Sequence, residues 1–178
     1  MRKNFVGLIF IFVLAFSISA QTDEAKQIDE FGIPPCGDML ARSDWIYSNL
    51  QSSPDSKIYV IYYGGRFRKE RIWDKRTKSY NKIQLEYPHR DDALNRAKAI
   101  PFYLTTEKSF STVERNTLKD KVVLINGGFR QNIEMEIWIV PQNAAPPKPS
   151  PTVDEKDIKF RTDKPFGIPD IKRCYDAY

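Results

Sequence analysis

Beyond residue 20 the apolar positions follow two spacings. Met39, Leu40, Ile46, Tyr47 and Leu50 recur at steps of three, four and seven, which predicts a helix with one buried stripe. Asp38 is its expected cap, and Ser52-Ser53-Pro54-Asp55 its end. Ile58 to Tyr63 is then a run of β-branched and aromatic residues without polar alternation, the pattern of a strand covered on both faces. Lys82 to Tyr87 alternates with period two and predicts a short strand closed by Pro88. Ala93, Ala97, Ile100 and Leu104 mark a second helix, capped by Asp91 or Asp92 and kinked or divided by Pro101. A linker from Thr105 to about Asp120 leads to Lys121–Asn126, another buried-type strand. Ile133, Met135, Ile137 and Ile139 then alternate with Glu134, Glu136, Trp138 and Val140. A hairpin over Lys121–Val140, turning at Gly127 to Gln131, follows from this, with Glu134 and Glu136 on a solvent face. These elements predict an α+β domain: two helices packed on a mixed sheet of three or four strands.

Two glycine pairs stand at the ends of apolar runs, in "YYGGR" (Tyr62–Arg66) and "INGGFR" (Ile125–Arg130). Neither offers GxGxxG or GxxxxGK[ST], and the second is followed by an alternating strand rather than a helix. They are expected to serve as sharp chain reversals after buried strands, not as phosphate-binding loops. Between Pro141 and Pro151 there are five prolines, the composition of a semi-rigid spacer.

The amino-terminal segment changes the setting. Arg2 and Lys3 precede an apolar core from Phe5 to Phe16, and small residues follow at Ser17, Ser19 and Ala20. This is the layout of a secretory signal peptide over residues 1–20, and its core is short for a membrane span. Removing 20 of the 178 residues leaves 158, enough for one domain, and lowers the formal charge from +5 to +3. The expected organisation is a domain over 21–140, the spacer at 141–151 and a tail at 152–178. The location is periplasmic or secreted, with no transmembrane segment after signal removal. In such a compartment Cys36 and Cys174 are expected to pair, unpaired thiols being the alternative. In the chain-entropy account so long a loop contributes about 4–5 kcal/mol less any strain. The pair would also bring together two copies of "FGIP", Phe31–Pro34 and Phe166–Pro169.

Candidate chemistry is sparse. His89 is the one histidine, and no strained GxSxG elbow accompanies it. Two cysteines and one histidine, widely scattered, lack metal-ligand spacing, so neither a metal nor another cofactor is expected. Arg66 to Arg90 interleaves Arg and Lys with Phe67, Trp73, Tyr80 and Tyr87, the composition of a nucleic-acid or glycan surface. Export argues against nucleic acid. Arg66, Arg68 and Arg130 are candidate anion contacts, otherwise a solvated rim.

"MLARSDWIYSNLQSSPDSKIYVIYYGG" (Met39–Gly65), "ALNRAKAIPFYL" (Ala93–Leu104) and "KVVLINGGFRQNIEMEIWIV" (Lys121–Val140) carry a family resemblance. They resemble, in order, the helix and following strand, the Arg-Ala helix and the final strands of the OmpA-like domain, a peptidoglycan-associating module of bacterial envelope proteins. The likeness spans about 100 residues, Asp38 to Val140. "YYGGR", "GGFR" and "MEIWIVP" also look like a narrower group of uncharacterised secreted bacterial proteins, which supplies no activity. The resemblance implies a βαβαβ-type fold and matches Arg96 to the family's ligand-holding arginine. It fails at the partner aspartate, where Arg66 or Phe67 stands, and the segment between is longer by about seventeen residues. The reading at this point is a non-enzymatic exported binding module for peptidoglycan, another anionic glycan or an envelope protein, through Arg66, Arg68, Arg96 and Arg130. The alternatives are an enzyme acting on an exported cell-wall substrate, such as a hydrolase, and a structural protein-interaction domain.

Overall fold

The computed structural model describes residues 24–105 and 117–163. The signal segment, most of the Thr105–Asp120 linker, Cys174 and the second FGIP copy lie outside them, so the Cys36–Cys174 pairing does as well. The elements are β1 (Lys26–Phe31), α1 (Cys36–Ser52), β2 (Lys57–Asp74), β3 (Ser79–Glu86), α2 (Asp92–Ala97), α3 (Ala99–Thr105), β4 (Val122–Asn132) and β5 (Glu134–Val140). The fold is α+β with a mixed sheet. Its central strands run in the order β1-β5-β2-β4, and β3 pairs with the far half of β2.

The helices cover one face of the sheet. Ile58 and Val60 of β2 and Met135, Ile137 and Ile139 of β5 meet Met39, Ile46 and Leu50 of α1 and Ile100, Tyr103 and Leu104 of α3 in one core. The four apolar positions that define the second helix, Ala93, Ala97, Ile100 and Leu104, are all buried. That stretch is two helices rather than one. Pro101 lacks the N–H that would bond Ala97, and its ring crowds that carbonyl, so the chain breaks at Lys98, one turn earlier. At the first helix the N-cap is Pro35, not Asp38, which sits in the first turn and pairs with Arg42 at 2.9 Å.

The expected β4–β5 hairpin is not formed. Ile58 pairs with Val122 of β4 on one side and with Ile139 of β5 on the other. Thus β4 lies parallel to β2, β5 lies antiparallel to it, and the chain crosses β2 at Ile133. With β4 on one side and β5 on the other, Ile58–Tyr63 lies inside the sheet, which its unbroken apolar character favours.

The glycine pairs permit that crossing. They stand inside strands: β2 continues through Gly64-Gly65 and β4 through Gly127-Gly128. A Cβ on Gly65 would lie 2.6 Å from the Ile133 backbone nitrogen, where the crossover passes. A Cβ on Gly64 would strike the Phe129 ring at 2.4 Å, and one on Gly127 would strike the Tyr63 ring at the same distance. Each pair therefore makes room for an aromatic ring of the neighbouring strand. Gly128, at φ +81°, forms the bulge that shifts the register between Tyr62 and Gly64. Neither pair opens a helix.

Past Phe67, β2 pairs with β3 alone. Arg68 to Asp74 and Ser79 to Glu86 form a two-stranded ribbon closed by a turn at 75–78, in which Lys78 takes a left-handed φ of 47°. The proline-rich run, expected as a spacer, lies along the sheet. Pro147 is buried, Val153 bridges Phe129, and a 3₁₀ turn at Glu155–Asp157 leads to the buried Ile158. Among the described residues no helix is long and apolar enough to cross a membrane.

Candidate functional site

The candidate arginines lie on different elements: Arg66 and Arg68 on β2, Arg96 on α2 and Arg130 on β4. Arg130 lies on the face of the sheet opposite the helices, with its side chain 12 % exposed. Its guanidinium stacks on Tyr63 at 3.6 Å from the ring centroid. One terminal nitrogen donates to Glu30 and to Glu134, each at 3.0 Å. The other donates to Glu136 and to Ser150 Oγ, and Nε donates to the Ser150 carbonyl at 3.3 Å. Burial works against this charge; the hydrogen bonds it donates to Glu134 and Glu136 outweigh that and hold the guanidinium above its ordinary value. Its donors are spent within the chain, so Arg130 is a structural node rather than a rim residue. Glu136 corrects the expectation of a solvent face: it is buried, and its second oxygen accepts Trp138 Nε1–H at 3.1 Å. Tyr63 Oη accepts the Ser150 N–H at 3.1 Å, so the same cluster pins the proline-rich run to the sheet. The signal for this cluster was faint in sequence, because it depends on which strand lies beside β5.

Arg66 and Arg68 stand where β2 leaves the sheet. Arg66 is exposed, with its guanidinium 5.7 Å from the Phe67 ring centroid. Arg68 pairs through its backbone with Glu86, the first rung of the ribbon. Arg96 is in the last turn of α2, half-buried. From Arg66 to Glu86 the chain carries eight Lys or Arg against three Asp or Glu. That excess equals the formal charge of the whole chain, +5.

At the ribbon root the carboxyl-terminal part of the described chain is clasped to the β3–α2 junction. Arg161 donates to Glu86 at 2.7 Å and, through its backbone, to the Pro88 carbonyl at 3.0 Å. Asp163 meets His89 Nε2 at 3.1 Å. His89 is 6 % exposed, so it is neither a surface loop residue nor open to a substrate. Its Nδ1 and Asp92 Oδ1 face each other at 3.5 Å, both buried and otherwise without a partner. Asp92, the first residue of α2, accepts the His89 N–H at Oδ2 at 3.0 Å. The hydrogen bond from Arg161 outweighs the opposing desolvation and, with a weaker contribution from His89, holds the Asp163 carboxyl well below the usual carboxylate range. No group of three or more His, Cys, Asp or Glu suited to a metal ion occurs among the described residues.

The aromatic residues of this region form a short ladder. Phe67 and Tyr87 stand 6.3 Å apart between ring centroids at 32°, with Lys159 Nζ 5.0 Å from the Tyr87 centroid. Tyr87 and Leu85 are 45 % and 58 % exposed. Composition marked Arg66–Arg90 as basic and aromatic, but nothing local linked Lys159 to it. Comparison with known protein families, with curated proteins and with solved structures finds no match for this chain.

Proposed function

We propose that this chain is a non-enzymatic, exported cell-envelope module that binds peptidoglycan or another anionic glycan through the β2–β3 ribbon. The observation that carries this reading is the concentration of positive charge on a ribbon that extends past the neighbouring strands. Lys75, Arg76 and Lys78 at the turn of the ribbon are exposed, and cations so placed can reach a polymer that a flat sheet edge cannot, with an attraction that is long-ranged at low salt. Arg66 is exposed beside this ribbon, and Arg68 stands at its first rung. Arg130, committed to three carboxylates, does not take part.

The mixed sheet with helices on one face and a parallel β2–helix–β4 crossover supports a degenerate OmpA-like, βαβαβ-type reading, with the ribbon as an insertion. Arg66 or Phe67 in place of the aspartate favours an anionic ligand over an ammonium-bearing one. The export signal and the Cys36–Cys174 disulfide belong to the same proposal. The test is co-sedimentation of the mature chain with purified peptidoglycan sacculi, against Arg66→Glu/Arg68→Glu and Arg96→Ala variants. Retention that weakens with salt and is lost in the double variant supports the reading. Retention equal to that of an unrelated protein of the same charge refutes it.

A further inference from the structure

We infer that the ribbon root is a subsite for an acidic sugar ring, with Tyr87 as the stacking platform and Lys159 and Arg66 as the partners of the sugar's carboxylate. The inference rests on the glycan reading above and gives it a location. Tyr87 and Leu85 point to the same side, two residues apart, and Phe67 lies directly across from Tyr87 by continuation of the Arg68–Glu86 register. Leu85 and Tyr87 are 58 % and 45 % exposed, so both are open to a ligand.

The charges beside them narrow the chemistry. Each ring carries a cation over its face, Lys159 at 5.0 Å from the Tyr87 centroid and Arg66 at 5.7 Å from the Phe67 centroid. An uncharged sugar would use the rings alone, and a simple polyanion would use the cations alone. A ring bearing a carboxylate uses both. Lys159 is exposed, so its ammonium can swing off the Tyr87 face to meet the carboxylate and leave that face to the sugar.

The subsite is composite. Lys159 belongs to the clasped carboxyl-terminal segment and stands over Tyr87 because Arg161 and Asp163 hold that segment to Glu86, Pro88 and His89. The contacts of Arg161 thus become positioning contacts for Lys159. Arg161→Gln is expected to weaken sugar binding about as much as Lys159→Gln, without removing a group that touches the ligand.

The experiment titrates the mature chain with oligogalacturonate, with polyphosphate of matched charge and with phosphatidylglycerol vesicles. Tyr87→Ala, Tyr87→Phe, Lys159→Gln and Arg161→Gln are compared with the parent. Tighter binding of oligogalacturonate than of polyphosphate is expected. Tyr87→Ala should weaken the sugar about tenfold, the scale of one lost aromatic stack, leave polyphosphate unchanged, and be rescued by Tyr87→Phe. Equal loss for both polymers, no loss for either, or preference for the vesicles overturns the subsite while leaving the basic ribbon in place. Failure of the parent to bind either polymer overturns the glycan reading, and the subsite with it.

Discussion

Arg130→Met separates a structural arginine from a ligand-binding one. Glu136 is the carboxylate that matters most, because its side chain is 7 % exposed while those of Glu134 and Glu30 are 28 % and 49 % exposed. The two more exposed partners regain water when the guanidinium goes, so each of those pairs contributes about 0–1 kcal/mol. Glu136 cannot. It keeps the Trp138 N–H but loses its counter-charge, and breaking a buried pair from one side costs about 3–5 kcal/mol. Against a total stability of about 5–15 kcal/mol for a domain, that is a large loss. Arg130→Lys keeps a charge but loses the planar fork that reaches three carboxylates and Ser150. It should fall between parent and Arg130→Met. Adding Glu136→Gln to Arg130→Met neutralises the stranded group and should recover at least half of the loss. Equilibrium urea unfolding of the mature chain at neutral pH, with the thiol state held constant, measures all four. A change below about 1 kcal/mol for Arg130→Met would contradict the buried-pair argument. Unchanged stability with lost sacculus retention would return Arg130 to the ligand site.

Three further outcomes are expected. Gly64→Ala should cost about 1–3 kcal/mol, because the Phe129 ring can shift, whereas Gly65→Ala should cost more, because its Cβ would meet the Ile133 backbone; equal unfolding midpoints would refute the crossover argument. His89→Leu should leave the buried Asp92 carboxylate without its ring neighbour, costing about 1–3 kcal/mol, and should speed hydrogen exchange at the Arg161 amide; unaltered exchange there would count against the clasp. The third concerns acid. The Asp163 carboxyl is held below its unfolded value, so its contribution is present above the ordinary carboxylate range and is lost only as pH falls below that range. The Arg161 amide should stay protected from neutrality through about pH 4, where free aspartates titrate; exchange that rises near that pH would show the pairing with Arg161 and His89 to be absent in solution.

Much of the fold can be read without coordinates. Apolar spacing alone places α1, the buried positions of α2 and α3, and the apolar segments of β2 and β4, because burial stripes are local properties of the chain. The sequence also concentrates the basic residues between Arg66 and Glu86. What spacing cannot decide is which strands lie side by side. Ile133–Val140 alternates equally well beside β4 or beyond β2, and only the packed sheet selects the second, burying β2 on both sides. From that choice follow the crossover at Gly65, the aromatic rings seated on Gly64 and Gly127, and the burial of Glu136 with Arg130. The pairing of Tyr87 with Lys159 has the same origin. Residues 72 positions apart meet because the tertiary structure folds the carboxyl-terminal segment back onto the ribbon root, a non-local contact to which local composition is blind.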